Sequence, residues 1–241
     1  MQIYKTPLKE FKFLIEDFLK LNENEFLKNQ ELETSDLMLI LDEAAKLCEE
    51  TLLPLNQSGD SEGCKFDNGN VTTPKGFKDA FKLFAENGWQ GLKVKEEFGG
   101  QNLPYIMNML LDEMISSTNM SFGLYSGLTA NAIDAIEKSG SNELKKTYLP
   151  NLASGKWTGT MNLTEPQCGT DLGLSKTMAI PNEDGSYNLT GTKIFITCGE
   201  HDLSENIIHL VLARTPDAPP GIKGISLFLV PKYLPNANDI H

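Results

Sequence analysis

Two short segments hold the residue types that can do chemistry. "LTEPQCGTD" (residues 163–171) sets Thr164, Glu165, Thr170 and Asp171 around Pro166 and Gly169. Proline fixes the direction of a turn, and glycine lets the main chain approach a ligand closely. Successive N–H groups around Gly169 and Thr170 can form an anion-binding nest, with Asp171 bracing the loop from below. The same residues also make an ordinary polar junction between strand and turn. Further on, "KIFITCG" (193–199) puts Phe195 and Thr197 on one face if it is a strand. A ring beside a hydroxyl suits a planar heteroaromatic ligand, the ring covering it and the hydroxyl bonding an edge atom. An aromatic in a strand is equally at home in a core. His201, Glu205 and His209 stand at i, i+4 and i+8, which gathers metal ligands only on a helix. "NIIHLVLA" reads as strand and scatters them, so no metal site is expected.

The elements that position these segments fall into two grammars. Up to about residue 150 the apolar residues recur with helical spacing. Leu8, Phe11, Ile15, Phe18 and Leu19 share one face of a first helix. A second starts near Ser35 or Asp36 and is expected to stop by Pro54. Phe77, Phe81 and Phe84 form a third stripe, closed by Gly88. Pro104 suits a helix start, and "GLTANAIDAIEKSG" and "SNELKKTYLPNL" supply two more helices, the latter with Ser141 as cap. From residue 157 the chain reads as strands. "TGTMNLT" alternates, "LSKTMAI" and "YNLTGTKIFIT" flank a hairpin turn at Asp184-Gly185, and "NIIHLVLA" and "GISLFLV" follow. The expected class is α+β: a helical bundle, then a small antiparallel barrel or sheet, with the boundary near Gly155. With so few strands the sheet is expected to be truncated, its edges needing cover.

Composition narrows the partners. The 241 residues carry a net charge of −12, from 33 acidic and 21 basic side chains. That argues against nucleic acid, whose phosphates require a basic surface. No apolar run is long enough for a membrane anchor, and the N-terminus has neither signal nor transit character. Cys48, Cys64, Cys168 and Cys198 are widely spaced, as expected of free thiols in a cytoplasmic protein.

Four ordered motifs together resemble the acyl-CoA dehydrogenase family. "MNLTEPQCGTD" is similar to that family's flavin-loop signature, and "GTKIFITCG" to its G-x-K-x-W-I-T-N-G segment. "EEFGGQNLP" resembles its E-x-(F/Y)-G-G-x-G loop, and "YLPNLASGKWTGTM" its lead into the middle domain. The N-terminal extension and "GEHDLSENIIHLVLART" look most like the branch with large bacterial fatty-acyl-CoA and 3-methylmercaptopropionyl-CoA dehydrogenases.

The resemblance implies an N-terminal extension (1–34), a helical domain (35–156) and an incomplete middle β-domain (157–241). It implies FAD as cofactor, an acyl-CoA thioester as substrate and an electron-transferring flavoprotein or similar acceptor. The activity implied is the α,β-dehydrogenation of β-oxidation, with hydride passing to flavin N5. Carried over by residue, Met161, Leu163 and Thr164 meet the flavin pyrimidine edge, and Gly169 and Thr170 lie near the pyrophosphate, Thr170 also near the acyl-CoA. Phe195 stands for the tryptophan beside the isoalloxazine, and Thr197 matches the threonine that bonds N5. Thr170 replaces serine, and Asn102 stands at the loop's third glycine, where asparagine tolerates positive φ. The family's catalytic glutamate lies in a C-terminal helical domain that these residues do not include, so no catalytic residue is assigned and the chain is expected to be inactive alone. Glu165 is assigned a structural role. A full-length homo-oligomer is implied. An acyl-CoA oxidase of the same superfamily and a non-catalytic acyl- or CoA-binding module are the alternatives; the retained Thr164 and Thr197 favour a flavin site over the module.

Overall fold

A computed structural model describes residues 3–236. The last five residues of the region expected to run to residue 241 lie outside them. Helices come first and strands second, as an α+β fold requires: α1 (Leu8–Phe13), α2 (Glu25–Asn29), α3 (Thr34–Lys46), α4 (Leu53–Glu62), α5 (Phe77–Glu86), α6 (Tyr105–Ser139) and α7 (Asn142–Ala153). A hairpin, β1 (Lys65–Asp67) and β2 (Asn70–Thr72), interrupts them. Then come β3 (Trp157–Asn162), β4 (Met178–Pro181), β5 (Tyr187–Thr190), β6 (Asn206–Ala213) and β7 (Ser226–Pro231).

The bundle follows its stripes with three departures, each with a local cause. After α1 the backbone widens into a π-helical turn, Leu14–Phe18. The extra residue per turn rotates the stripe, so Phe11 and Ile15 are buried while Phe18 and Leu19 face solvent. The second helix does not stop before Pro54. A π-helical stretch, Leu47–Leu52, links α3 to α4, with the Leu53 N–H bonded back to Cys48 O, and this widened turn admits Pro54 in the first turn of α4. The two helices expected between residues 104 and 140 are one element kinked at Asn119 (φ −155°, ψ 82°). Asn119 caps the second half: its Oδ1 accepts from Phe122 N (3.1 Å), while its Nδ2 donates to Leu52 O (3.1 Å). Phe77, Phe81 and Phe84 pack around Phe122 with ring centroids 5.7–6.2 Å apart. Ser141 caps α7 by accepting from Leu144 N (3.2 Å).

Strand pairing is mixed. β3 pairs parallel with β6, which pairs antiparallel with β7, while β4 and β5 form the expected hairpin. The sheets are open, and β3–β6 departs from the antiparallel arrangement expected throughout. β3 does not alternate: Trp157 to Thr160 are all buried. One side lies on α6, where a Cβ on Gly159 would come within 2.4 Å of Ala132 Cβ; the other lies under the loop holding His201 and Ser204. Among the described residues no helix is long and apolar enough to cross a membrane.

Candidate functional site

Strand β3 delivers the first segment. The N–H of Gly159 leaves the sheet to donate to Thr129 Oγ1 on α6 (3.0 Å). In a parallel ladder a residue's N–H and C=O point to the same side and successive residues alternate. The main-chain groups of Met161 therefore also face the free edge of β3, away from β6. Beyond the strand, Glu165 and Cys168 exchange both main-chain hydrogen bonds (2.9 and 3.0 Å), closing a tight turn over Pro166 and Gln167. That turn carries Gly169 and Thr170 into solvent, where a Cβ on Gly169 would meet nothing within 4 Å. Asp171 braces the short helical turn at Leu172–Leu174, accepting from Gly173 N (3.0 Å).

The second segment is not the strand expected from its apolar residues. β5 ends at Thr190, and residues 191–200 run as coil and turns. Phe195 and Cys198 both take left-handed backbone (φ 56°), so the period-two argument for a shared face of Phe195 and Thr197 does not apply. What fixes the segment is a lateral tie. Ile194 N donates to Thr164 O (3.0 Å), and Lys193 Nζ donates to Leu163 O (3.0 Å) and Glu165 Oε1 (2.9 Å). The two threonine-bearing segments thus lie side by side. Phe195, 89% exposed, is held outward rather than packed, and Thr197 is also accessible.

Beneath this rim sits Glu165, 3% exposed. Its Oε1 accepts from Ser175 Oγ (2.6 Å), Thr177 N (3.0 Å), Thr177 Oγ1 (2.6 Å) and Lys193 Nζ; its Oε2 accepts from Lys176 N (2.8 Å) and Gln167 Nε2 (2.5 Å). Burial works to raise its pKa, but hydrogen bonds from Ser175, Thr177, the Lys176 amide and Lys193 outweigh it and hold the carboxyl well below the usual range. A carboxylate so enclosed is an anchor and a poor proton acceptor. Arg214 does similar work next door, donating to the carbonyls of Ser175, Gly173, Pro219 and Gly221. Lys193, Ser175, Thr177 and Arg214 escaped the sequence reasoning. Only Lys193 had a signal: a cation set in an otherwise apolar segment.

The histidines do other work. His201 Nδ1 accepts from Leu203 N (3.2 Å), which leaves the proton on Nε2 to donate to Thr158 Oγ1 (3.1 Å). Burial lowers its pKa to about 4. His209 Nδ1 meets Thr160 Oγ1 (2.8 Å). Among the described residues no group of His, Cys, Asp or Glu gathers as metal ligands.

An outward ring, two accessible hydroxyls, a strand edge with free main-chain groups and an open glycine suit a flat heteroaromatic ligand with an anionic tail. The family model for the acyl-CoA dehydrogenase N-terminal domain matches residues 34–156, and that for the middle domain matches residues 160–239. A 3-methylmercaptopropionyl-CoA dehydrogenase from Ruegeria pomeroyi is 48% identical over 232 residues, which are 96% of this chain and 40% of that protein. A solved structure described as the electron transferring flavoprotein of Acidaminococcus fermentans aligns with a TM-score of 0.68 at 29% identity, over 83% of this chain and 48% of that one. An acyl-CoA dehydrogenase from Bacillus anthracis, complexed with FAD, aligns with a TM-score of 0.65 at 27% identity, over 81% of this chain and 30% of that one. The chain thus spans well under two thirds of the length of each of these three.

Proposed function

Because the chain belongs to the acyl-CoA dehydrogenase family, we propose that it supplies the helical and middle β portions of an FAD-dependent enzyme acting on acyl-CoA thioesters. Residues 1–34, 35–156 and 157–241 are its extension, helical and middle parts. The observation that carries the proposal is the Ile194 N–H to Thr164 C=O bond, which sets the two threonine segments edge to edge. When bound, the flavin supplies hydride acceptance from the substrate β-carbon.

The chain's own residues bind and orient. Main-chain groups of Met161 and Leu163 and the Thr164 hydroxyl hold the pyrimidine edge of the ring. Thr197 donates to the ring nitrogen that receives hydride, which tunes its acceptance. Phe195 covers the ring and excludes water from that side. Gly169 admits the pyrophosphate and Thr170 binds it together with the acyl-CoA. The acyl chain runs along the second half of α6, where exposed Met120 and Leu124 share a stripe with Gly127, whose added Cβ would meet nothing within 4 Å. Glu165 is not the base, because its carboxylate is buried and its oxygens are taken up by donors that lower its basicity; the base comes from outside these 241 residues, and this chain alone does not turn over. Transfer of electrons to an electron-transferring flavoprotein, homo-oligomeric assembly and a cytoplasmic setting belong to the same proposal.

Thr197→Val in a protein carrying this segment at its relatives' full length tests it. Loss of one hydrogen bond between a neutral hydroxyl and a neutral ring nitrogen, about 0.5–1.5 kcal/mol, predicts roughly 2- to 13-fold weaker or slower flavin chemistry with the fold intact. Unchanged flavin affinity, flavin spectrum and acyl-CoA reduction rate would remove Thr197 from the site. Replacing the flavoprotein acceptor by oxygen separates a dehydrogenase from an oxidase.

A further inference from the structure

The stretch from Gly199, "GEHDLSENIIHLVLART", has no part in the ligand-facing wall, yet consecutive side chains in it reach separate parts of the fold. Glu200 pairs with Lys232 at the end of β7 (2.6 Å). His201 bonds Thr158 on β3 (3.1 Å) and sets its ring edge-on to Tyr125 on α6, with centroids 5.1 Å apart. Asp202 Oδ1 accepts from both Thr73 N (3.0 Å) and Thr73 Oγ1 (2.7 Å), in the connection between β2 and α5. Leu203 then packs into the core of the bundle. Of these ties Asp202 makes the firmest crossing to the helical part. Two donors share one carboxylate oxygen, and Thr73 is only 6% exposed, so loss of the acceptor strands buried donors.

Between this tie and the one at Ile194 stands an arch, residues 195–199, with Thr197 at its middle. Among the described residues its one main-chain hydrogen bond is Gly199 N to Ile196 O (3.2 Å). Phe195 and Cys198 both hold left-handed backbone (φ 56°), a conformation that costs a residue with a side chain and persists only where its surroundings impose it. The arch is thus shaped from its ends. We propose that Asp202 is a positioning residue for Thr197: by pinning the chain to Thr73 it fixes the far end of the arch, and with it where the Thr197 hydroxyl stands against the Thr164 segment. The inference rests on the flavin-site reading for its chemistry and on the two Thr73 bonds for its mechanics. Asp202 acts through the main chain that joins it to Thr197, and Thr73 is the helical part's hold on the flavin wall.

The test uses the protein carrying this segment at its relatives' full length, with amide hydrogen exchange read on its flavin-free form. Asp202→Ala should raise exchange at residues 195–199 about 10- to 100-fold, the loss expected for charge-assisted bonds, while β3 and β6 exchange as in wild type. Asp202→Asn keeps an acceptor oxygen and loses only the charge, so it should recover most of the protection. Thr73→Val removes one of the two donors from the opposite side; it should give a smaller rise, and it covers the case in which Asp202→Ala does not fold. On loading with FAD, Asp202→Ala should weaken flavin binding by no more than Thr197→Val does. The double variant should bind as Thr197→Val alone, because both changes remove the same contact. Unchanged exchange at 195–199 in Asp202→Ala and Thr73→Val, an Asp202→Asn as open as Asp202→Ala, or flavin losses that add in full would overturn the proposal. A wild type that takes up no FAD sinks the flavin-site reading separately, and the flavin-free exchange rates still decide whether Asp202 holds the arch.

Discussion

Replacing Glu165 by glutamine should be far more damaging than its loop position suggests. The carboxylate's two oxygens face six donors, four at Oε1 and two at Oε2. Glutamine keeps one acceptor oxygen and turns the other position into a donor. The best orientation keeps the oxygen at the four-donor side, so the amide then opposes the Lys176 N–H and the Gln167 amide. Gln167 is exposed and can turn away, but the Lys176 N–H cannot. One stranded main-chain donor costs about 1–3 kcal/mol. Lys193, with a side chain only 9% exposed, also loses its anion. Breaking such a buried pair costs about 3–5 kcal/mol, reduced here because Lys193 keeps Leu163 O, so the total is about 3–5 kcal/mol. Urea unfolding of wild type and variant at neutral pH measures it. Acid adds a second readout. The folded pKa lies below the unfolded value of 4.5, so the wild-type contribution is complete above pH 4.5 and is lost as pH falls toward the folded pKa. The variant should show a shallower loss over that window. A midpoint shift worth less than about 1 kcal/mol, with the acid slope unchanged, would refute the anchor role.

Other predictions concern burial and exposure. His201 should stay neutral as pH falls from 6.5 to about 4, because burial lowers its pKa; stability then declines across that window as the unfolded chain alone takes up the proton, and NMR titration of the ring reads the midpoint. Gly159→Ala drives a methyl to 2.4 Å from Ala132 Cβ at the β3–α6 contact and should cost about 1–3 kcal/mol, seen as a lower melting temperature. Phe195→Ala removes an exposed ring, so stability should change by less than about 0.5 kcal/mol while flavin affinity falls; isothermal titration and thermal melts separate the two effects.

Helical stripes were legible where hydrophobic spacing and caps agree, as at Phe77, Phe81 and Phe84 with Gly88 (φ 75°), and at Ser141. Asn102 takes the positive φ (51°) that a glycine position demands. What misled were places where backbone geometry overrides spacing. π-Helical turns carried the chain across Pro54 and turned Phe18 and Leu19 outward, and no residue type announces such a turn. The β1–β2 hairpin turns on the Asn68-Gly69 pair, a dipeptide suited to such turns, both residues having the positive φ that a tight hairpin turn needs (47° and 86°). "KIFIT" has the composition of a strand, yet Lys193 and Ile194 bond sideways to Leu163, Thr164 and Glu165, and Phe195 turns left-handed. Tertiary partners far along the chain decided that segment, so periodicity could not. The Glu165 anchor was readable only as a structural glutamate; its donors come from residues 167–193 and converge only once the chain is folded.

The central claim is that the Thr164 and Thr197 segments together form one wall of a redox flavin site. Its most direct test is an anaerobic visible spectrum of the protein carrying this segment at its relatives' full length, before and after addition of a series of acyl-CoA thioesters. Bound flavin whose oxidised band bleaches with at least one thioester, and does so more slowly in Thr197→Val, is the expected result. A protein that purifies without flavin and takes none up, or whose flavin stays oxidised with every acyl-CoA, would contradict it.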